Sequence, residues 1–140
     1  MSVEENLRLA TEFVKAFNER ELDKAAALFA DPEVGKQWQD RMTNGWFRIF
    51  PDSVWETVQM TAQDDRVVIE AIETGTHLGE LDWWVKEPVP PTNKKIKFSS
   101  CTVLFCENGK MIKYHVYLSP LIILGQLGIR ENIDWPPSVE

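Results

Sequence analysis

A change of period at Pro51-Asp52 constrains this chain more than any other feature. Up to Phe50 the apolar residues recur every three or four positions, and beyond it they recur every second position. The first pattern buries one stripe of a helix, the second one face of a strand. Helices first and strands after describe an α+β domain, with the helices laid on one face of an antiparallel sheet.

The helical half has three segments. Ser2 and Glu5 fit a capping box, and Leu7, Ala10, Phe13, Val14 and Phe17 give Val3–Phe17 an apolar stripe. A shorter helix is predicted over Glu21–Phe29, ended by Asp31-Pro32, because a residue before proline avoids the helical region. The third, Lys36–Phe50, carries Trp38, Met42, Trp46, Ile49 and Phe50 on one side, a stripe aromatic enough to line a cavity. Gly45 weakens it and Pro51 stops it.

The strand half is organised around Arg66–Gly79, a long β-forming run that ends in a glycine-flanked turn carrying His77. Before it, Val54, Val58, Met60 and Ala62 are expected to share one face of a strand and Trp55, Thr57, Gln59 and Thr61 the other. After it, Leu78–Asn93 contains Trp83-Trp84 and the prolines 88, 90 and 91, so it is read as a loop or lid. In an extended segment only one of the two adjacent indoles can point inward. Lys95–Cys106 and Lys110–Leu118 flank Asn108-Gly109, a strong hairpin signal. Pro120 opens a last helical turn to Gly128, and residues 130–140, with Trp135-Pro136-Pro137, read as an irregular tail.

Composition narrows the functional classes. A length of 140 residues suits one domain, 1–140. A net charge of −7 disfavours nucleic acid and anionic membrane surfaces as partners. No apolar run is long enough to span a bilayer and no signal peptide is visible, so a cytoplasmic protein is expected. Cys101 and Cys106 would fall on opposite faces of one strand, which precludes a mutual disulfide. His77 and His115, with no carboxylate cluster at ligand spacing, give no metal constellation, and no phosphate loop is present; no cofactor is expected. Six tryptophans are many for so small a core, which places some of them at a pocket or interface.

Several short motifs, in order, carry a resemblance. Phe50-Pro51-Asp52, then TGTHLG at 74–79, Pro91-Thr92-Asn93-Lys94, Asn108-Gly109-Lys110-Met111-Ile112 and Leu124-Gly125-Gln126-Leu127-Gly128 resemble the SnoaL-like family. That family has the nuclear transport factor 2-like fold, and the resemblance covers about residues 3–129. It implies a cone-shaped α+β barrel whose curved sheet and helices enclose an apolar pocket, commonly in a homodimer. It also implies cyclase-, isomerase-, dehydratase- or hydrolase-type chemistry on a hydrophobic small molecule. Two positions depart from the family: Ser119 stands where its polyketide cyclases carry an acid/base aspartate, and Glu70 where many relatives carry arginine.

From the family's catalytic position, the 113/115/117/119 face of the last strand is expected to look into the pocket. His115 is then the candidate acid/base group, having a suitable ordinary pKa of ~6.5. Tyr117, Ser119 and Glu70 would orient or polarise a carbonyl-bearing, polyketide- or steroid-like substrate. Trp38, Met42, Trp46, Phe50, His77 and Trp83 join Tyr117 as candidate ligand contacts, although His77 also fits a purely backbone-shaping role. A non-catalytic binding protein and a structural dimer remain open on the same residues. A homodimer through the exposed sheet face is expected, because Val67, Val68, Ile69, Ala71 and Ile72, with Val103, Leu104 and Phe105, are apolar at both parities and helices cover only one face.

Overall fold

The computed structural model describes residues 2–136. Helix α1 spans Val3–Asn18 and is capped by Ser2, whose hydroxyl accepts the Glu5 N–H at 3.1 Å. Its buried face, with Leu9, Phe13, Val14 and Phe17, lies on strands β1 (Val54–Gln63) and β2 (Arg66–Thr76). The buried Asn6 amide donates to the Asp64 carbonyl at 3.1 Å, tying the start of α1 to the β1–β2 turn.

Asp31-Pro32 begins a helix rather than merely ending one. Helix α2 is only Leu22–Ala26, and α3 runs Pro32–Arg41. Asp31 is extended, as a residue before proline should be, and its carboxylate accepts the Glu33 N–H at 2.9 Å. Pro32 takes the first helical position, where a missing N–H is no loss. Helix α3 then widens into a π-helical turn, Met42–Trp46, and ends in the short α4, Phe47–Ile49. Gly45 lies inside the wide turn, and a Cβ there would collide with the Trp83 ring. A glycine that only weakens a helix in the sequence is the seat of a distant indole in the fold.

Strands β3 (Lys95–Glu107) and β4 (Lys110–Tyr117) complete one open antiparallel sheet in the order β1-β2-β3-β4. Asn108 and Gly109 both have positive φ, 51° and 78°, as a two-residue primed hairpin turn requires. The inner face buries Val67, Ile69 and Ala71 of β2 with Ile96, Phe98 and Leu104 of β3. Helix α5 (Pro120–Gln126) is fastened to β3 by the Gln126 amide, which bonds both backbone groups of Lys97 at 2.8 and 2.7 Å.

Two bulges alter the side-chain alternation. In β1 the register steps from Thr57↔Ala71 to Gln59↔Glu70, leaving Val58 unpaired and 64% exposed. Trp55 and Thr57 therefore share the inner face with Met60 and Ala62, a grouping that strict alternation excludes. In β4 the register steps from Lys113↔Phe105 to Met111↔Cys106, skipping Ile112. Cys101 faces outward and Cys106 inward, and both thiols are free. The tail lies within the description as far as residue 136; Pro137 and the rest of 137–140 fall outside the described residues. No helix of the described residues is long and apolar enough to cross a membrane.

Candidate active site

Between α1, the α3–π segment and the inner face of the sheet lies a cavity of about 610 Å³, within the usual range for small-molecule sites. Its walls are aromatic. Phe13 and Trp38 stack at 5.1 Å, Trp55 meets Phe13 and Phe17 edge-on at 5.9 and 5.2 Å, and Trp46 lies 6.3 Å from Trp83. Trp46 is held by its indole N–H, which donates to the buried Ser53 hydroxyl at 2.9 Å.

The loop after β2 supplies two further walls. Both Trp83 and Trp84 line the cavity, 5.7 Å apart and nearly perpendicular. The sequence expectation of one indole in and one out fails because Trp84 has φ of 65°, and a left-handed residue breaks strand alternation. The loop is clasped to the tail: Asn132 bonds both backbone groups of Glu87 through its amide at 2.8 Å, and Val85 forms a bridge with Ile133. Trp135 of the same tail reaches the cavity wall.

His77 closes the neck of this loop. Its backbone N–H donates to Lys94 at 2.9 Å, and its carbonyl accepts from Asn93 at 3.0 Å. Its ring Nδ1 accepts the Thr92 N–H at 3.1 Å, which leaves the ring proton on Nε2. The ring is fully buried against Phe50 at 6.0 Å, and burial holds its pKa below the ordinary imidazole range. Neither His77 nor Phe50 lines the cavity; Phe50 packs against the wall residue Trp46 at 4.7 Å, and His77 packs against Phe50.

The parity expected of β4 is reversed. Tyr114, Val116 and Leu118 line the cavity, while His115 and Tyr117 are exposed on the outer face. The register decides this: Tyr114 pairs with the buried Leu104 and His115 with outward Val103. His115 packs edge-on over Phe105 at 5.2 Å, beside Arg66 and Lys113, which lie 4.7 and 4.4 Å from the same ring. Ser119 is half-buried at the N-cap of α5, forms no side-chain cap and stays off the cavity wall, although Pro120 beside it lies on that wall. Glu70 is exposed on the outer face opposite Cys101. The three residues expected to carry chemistry are therefore not brought together.

The carboxyl inside the cavity belongs to Glu73. It lies on the inner face of β2, opposite Trp55 across the β1–β2 ladder, and is only 8% exposed. Among the described residues it forms no salt bridge. Burial pushes its pKa above the ordinary carboxyl range, and the nearby Ser100 hydroxyl draws it back only in part. Ser100 Oγ stays outside hydrogen-bond geometry and is without a partner. Three more polar residues line the same space: the buried Thr102, the half-buried Tyr114, whose phenol burial also pushes up, and the exposed Arg41 at the end of α3. No group of three or more His, Cys, Asp or Glu that could hold a metal ion occurs among the described residues.

Solved structures with this arrangement are numerous. AclR from Streptomyces galilaeus, a proposed hydroxylase, has a TM-score of 0.75 at 22% identity, over 91% of this chain and 98% of its own. A SnoaL-like polyketide cyclase from Agrobacterium tumefaciens has a TM-score of 0.73 at 16% identity, over 91% of this chain and 100% of its own. IdmH from Streptomyces antibioticus, a proposed polyketide cyclase, has a TM-score of 0.69 at 19% identity, over 88% and 98%. At such identities the likeness is one of fold, the nuclear transport factor 2-like fold. No curated protein matches the chain. The family model described as SnoaL-like polyketide cyclase matches residues 7–127, helices, sheet and cavity together, and the chain belongs to that family.

Proposed function

We propose that this protein performs cofactor-free acid/base chemistry on an apolar, carbonyl-bearing cyclic small molecule, with Glu73 moving the proton. One observation carries the reading: a buried carboxyl on the wall of an aromatic cavity, with no ion-pair partner among the described residues. A carboxyl whose pKa is raised is a stronger base than an ordinary one and holds the proton it takes up long enough to return it. Aromatic walls bind a flat apolar body and exclude water, which strengthens whatever electrostatics act within. His115 and Glu70 have no part at the reacting atoms in this reading, and isomerisation, dehydration or ring closure all begin with the same proton abstraction beside a carbonyl.

Exchange of that proton is the test. A tetralone in deuterated buffer, followed by proton NMR, should lose its α-hydrogen signals faster with the wild-type protein. Glu73→Gln should slow the exchange by ~10²–10⁴-fold, the usual contribution of a positioned base. Undiminished exchange by the variant would remove Glu73 from this role. Binding of the tetralone with no exchange by the wild type would favour a non-catalytic carrier.

A homodimer through the outer sheet face belongs to the same proposal. Val68, Ile72, Cys101 and Val103 are only partly covered there, and a second copy would shield them. Sedimentation showing a 16.2 kDa species at micromolar concentration would remove it.

A further inference from the structure

We infer that the ligand carries an anionic oxygen group, a carboxylate or a stabilised enolate, seated against Arg41 and Tyr114 on the cavity wall. This rests on the reading of the cavity as a ligand site and adds the polarity of what enters it.

Arg41 is the cation of the cavity wall. Its guanidinium carbon lies 4.8 Å over the Trp83 ring. Stacking engages the flat face of a guanidinium and leaves its in-plane N–H donors pointing outward, in the fork that fits a carboxylate. Among the described residues no carboxylate takes up that fork: the four ion pairs are made by Lys24, Lys36, Arg48 and Arg66. Two other arginines of the helical half, Arg20 and Arg48, find use within the fold, and Arg8 lies on α1 away from the cavity wall. Arg20 bonds the carbonyls of Phe17, Pro51 and Ser53, and Arg48 bonds those of Asn44 and Glu80 together with Asp82. The exposed Arg41 rests over an indole and, among the described residues, makes no hydrogen bond or ion pair.

Tyr114 supplies the second donor. It is half-buried on the inner face of β4, and Arg41 is near enough for its charge to oppose the rise in the phenol pKa. Among the described residues Arg41 and Glu73 form no ion pair, although both line the cavity. The wall thus offers Arg41 and Tyr114 as donors and Glu73 as a base, among indole and phenyl faces. A molecule that satisfies both is a flat apolar acid or enol that also carries an acidic C–H. The π-helical turn after Arg41 fits this role, since such turns concentrate at functional sites.

A matched pair of probes isolates the charge. Naphthoate and naphthamide share one apolar body and differ at the group meant for Arg41. By isothermal titration calorimetry on the full chain at pH 7.5 and low salt, naphthoate should bind roughly 10- to 100-fold more tightly, the worth of a charge-assisted hydrogen bond. Arg41→Gln should abolish that preference, read as the ratio of the two affinities within the variant, and Arg41→Lys should restore part of it. Tyr114→Phe should reduce the preference by a few fold. Equal binding of the two probes, or a preference that survives in Arg41→Gln, overturns the inference and leaves the cavity as a ligand site. Failure of both probes to bind the wild type overturns the inference and the ligand-site reading together.

Discussion

Removing the His77 ring should loosen the loop that carries Trp83 and Trp84, and the size of the effect follows from its surroundings. The ring is fully buried and its Nδ1 is the acceptor for the Thr92 N–H. His77→Ala empties a closed site, about 2 kcal/mol at the low end for large-to-small substitutions. It also strands a partly buried donor, about 1 kcal/mol more because water can reach it in part. The sum, about 3 kcal/mol, is a large share of a domain's usual ~5–15 kcal/mol. His77→Asn separates the two roles, since its Oδ1 can still accept from Thr92 but cannot titrate. The sign of the pH effect is fixed by the depressed pKa: the neutral ring is favoured in the fold, so its contribution is present above the unfolded value of ~6.5 and is lost as pH falls. Wild-type stability, measured by urea denaturation from pH 8 to 5, should fall relative to His77→Asn by up to ~1.4 kcal/mol per pH unit below 6.5. Amide exchange should quicken over residues 78–93 in His77→Ala. Parallel pH profiles for wild type and His77→Asn would refute the argument, because terms shared by the two proteins cancel in the difference.

Two further outcomes follow from the same structure. Gly45→Ala places a methyl group into the Trp83 ring; overpacking of about 1–3 kcal/mol should lower the melting temperature and shift tryptophan fluorescence as the indole is displaced. Glu73→Gln should gain stability relative to wild type as pH rises from ~4 to 8, because a raised carboxyl pKa contributes most below the unfolded value and loses that contribution as the group ionises. Thermal melts that differ by a constant amount across that range would show that Glu73 ionises without penalty.

The architecture was legible because it rests on period. Three helical stripes, four β-forming runs and Asn108-Gly109 place the elements in order, and the short motifs place them in a family. The site was less legible because the resemblance anchors the parity of β4 at Ser119, which has left the strand and stands at the N-cap of α5. Residues 114, 116 and 118 face the cavity in place of 113, 115 and 117. Glu73 was within reach: it lies two residues from Ala71 and Gly75 on the face that buries Val67 and Ile69, and an acidic residue on such a face calls for a reason. Glu70, three positions earlier, is on the solvent side for the same parity. Trp84 escaped because its positive φ is a property of the loop as folded and clasped by Asn132.

The bulges have a consequence for how copies of this chain can meet. An open sheet ends in two edge strands, and unpaired N–H and C=O groups along an edge invite another molecule to extend the ladder. Here β1 is broken at Val58 and β4 at Ile112, so neither edge offers a straight run along its full length. The Met111 end of β4 is further occupied by the chain after α2, with Met111 N–H bonded to Leu28 and its carbonyl to Ala30, both at 2.8 Å. Growth edge to edge into fibres is thereby obstructed on both flanks, and association is steered towards contacts made by side chains.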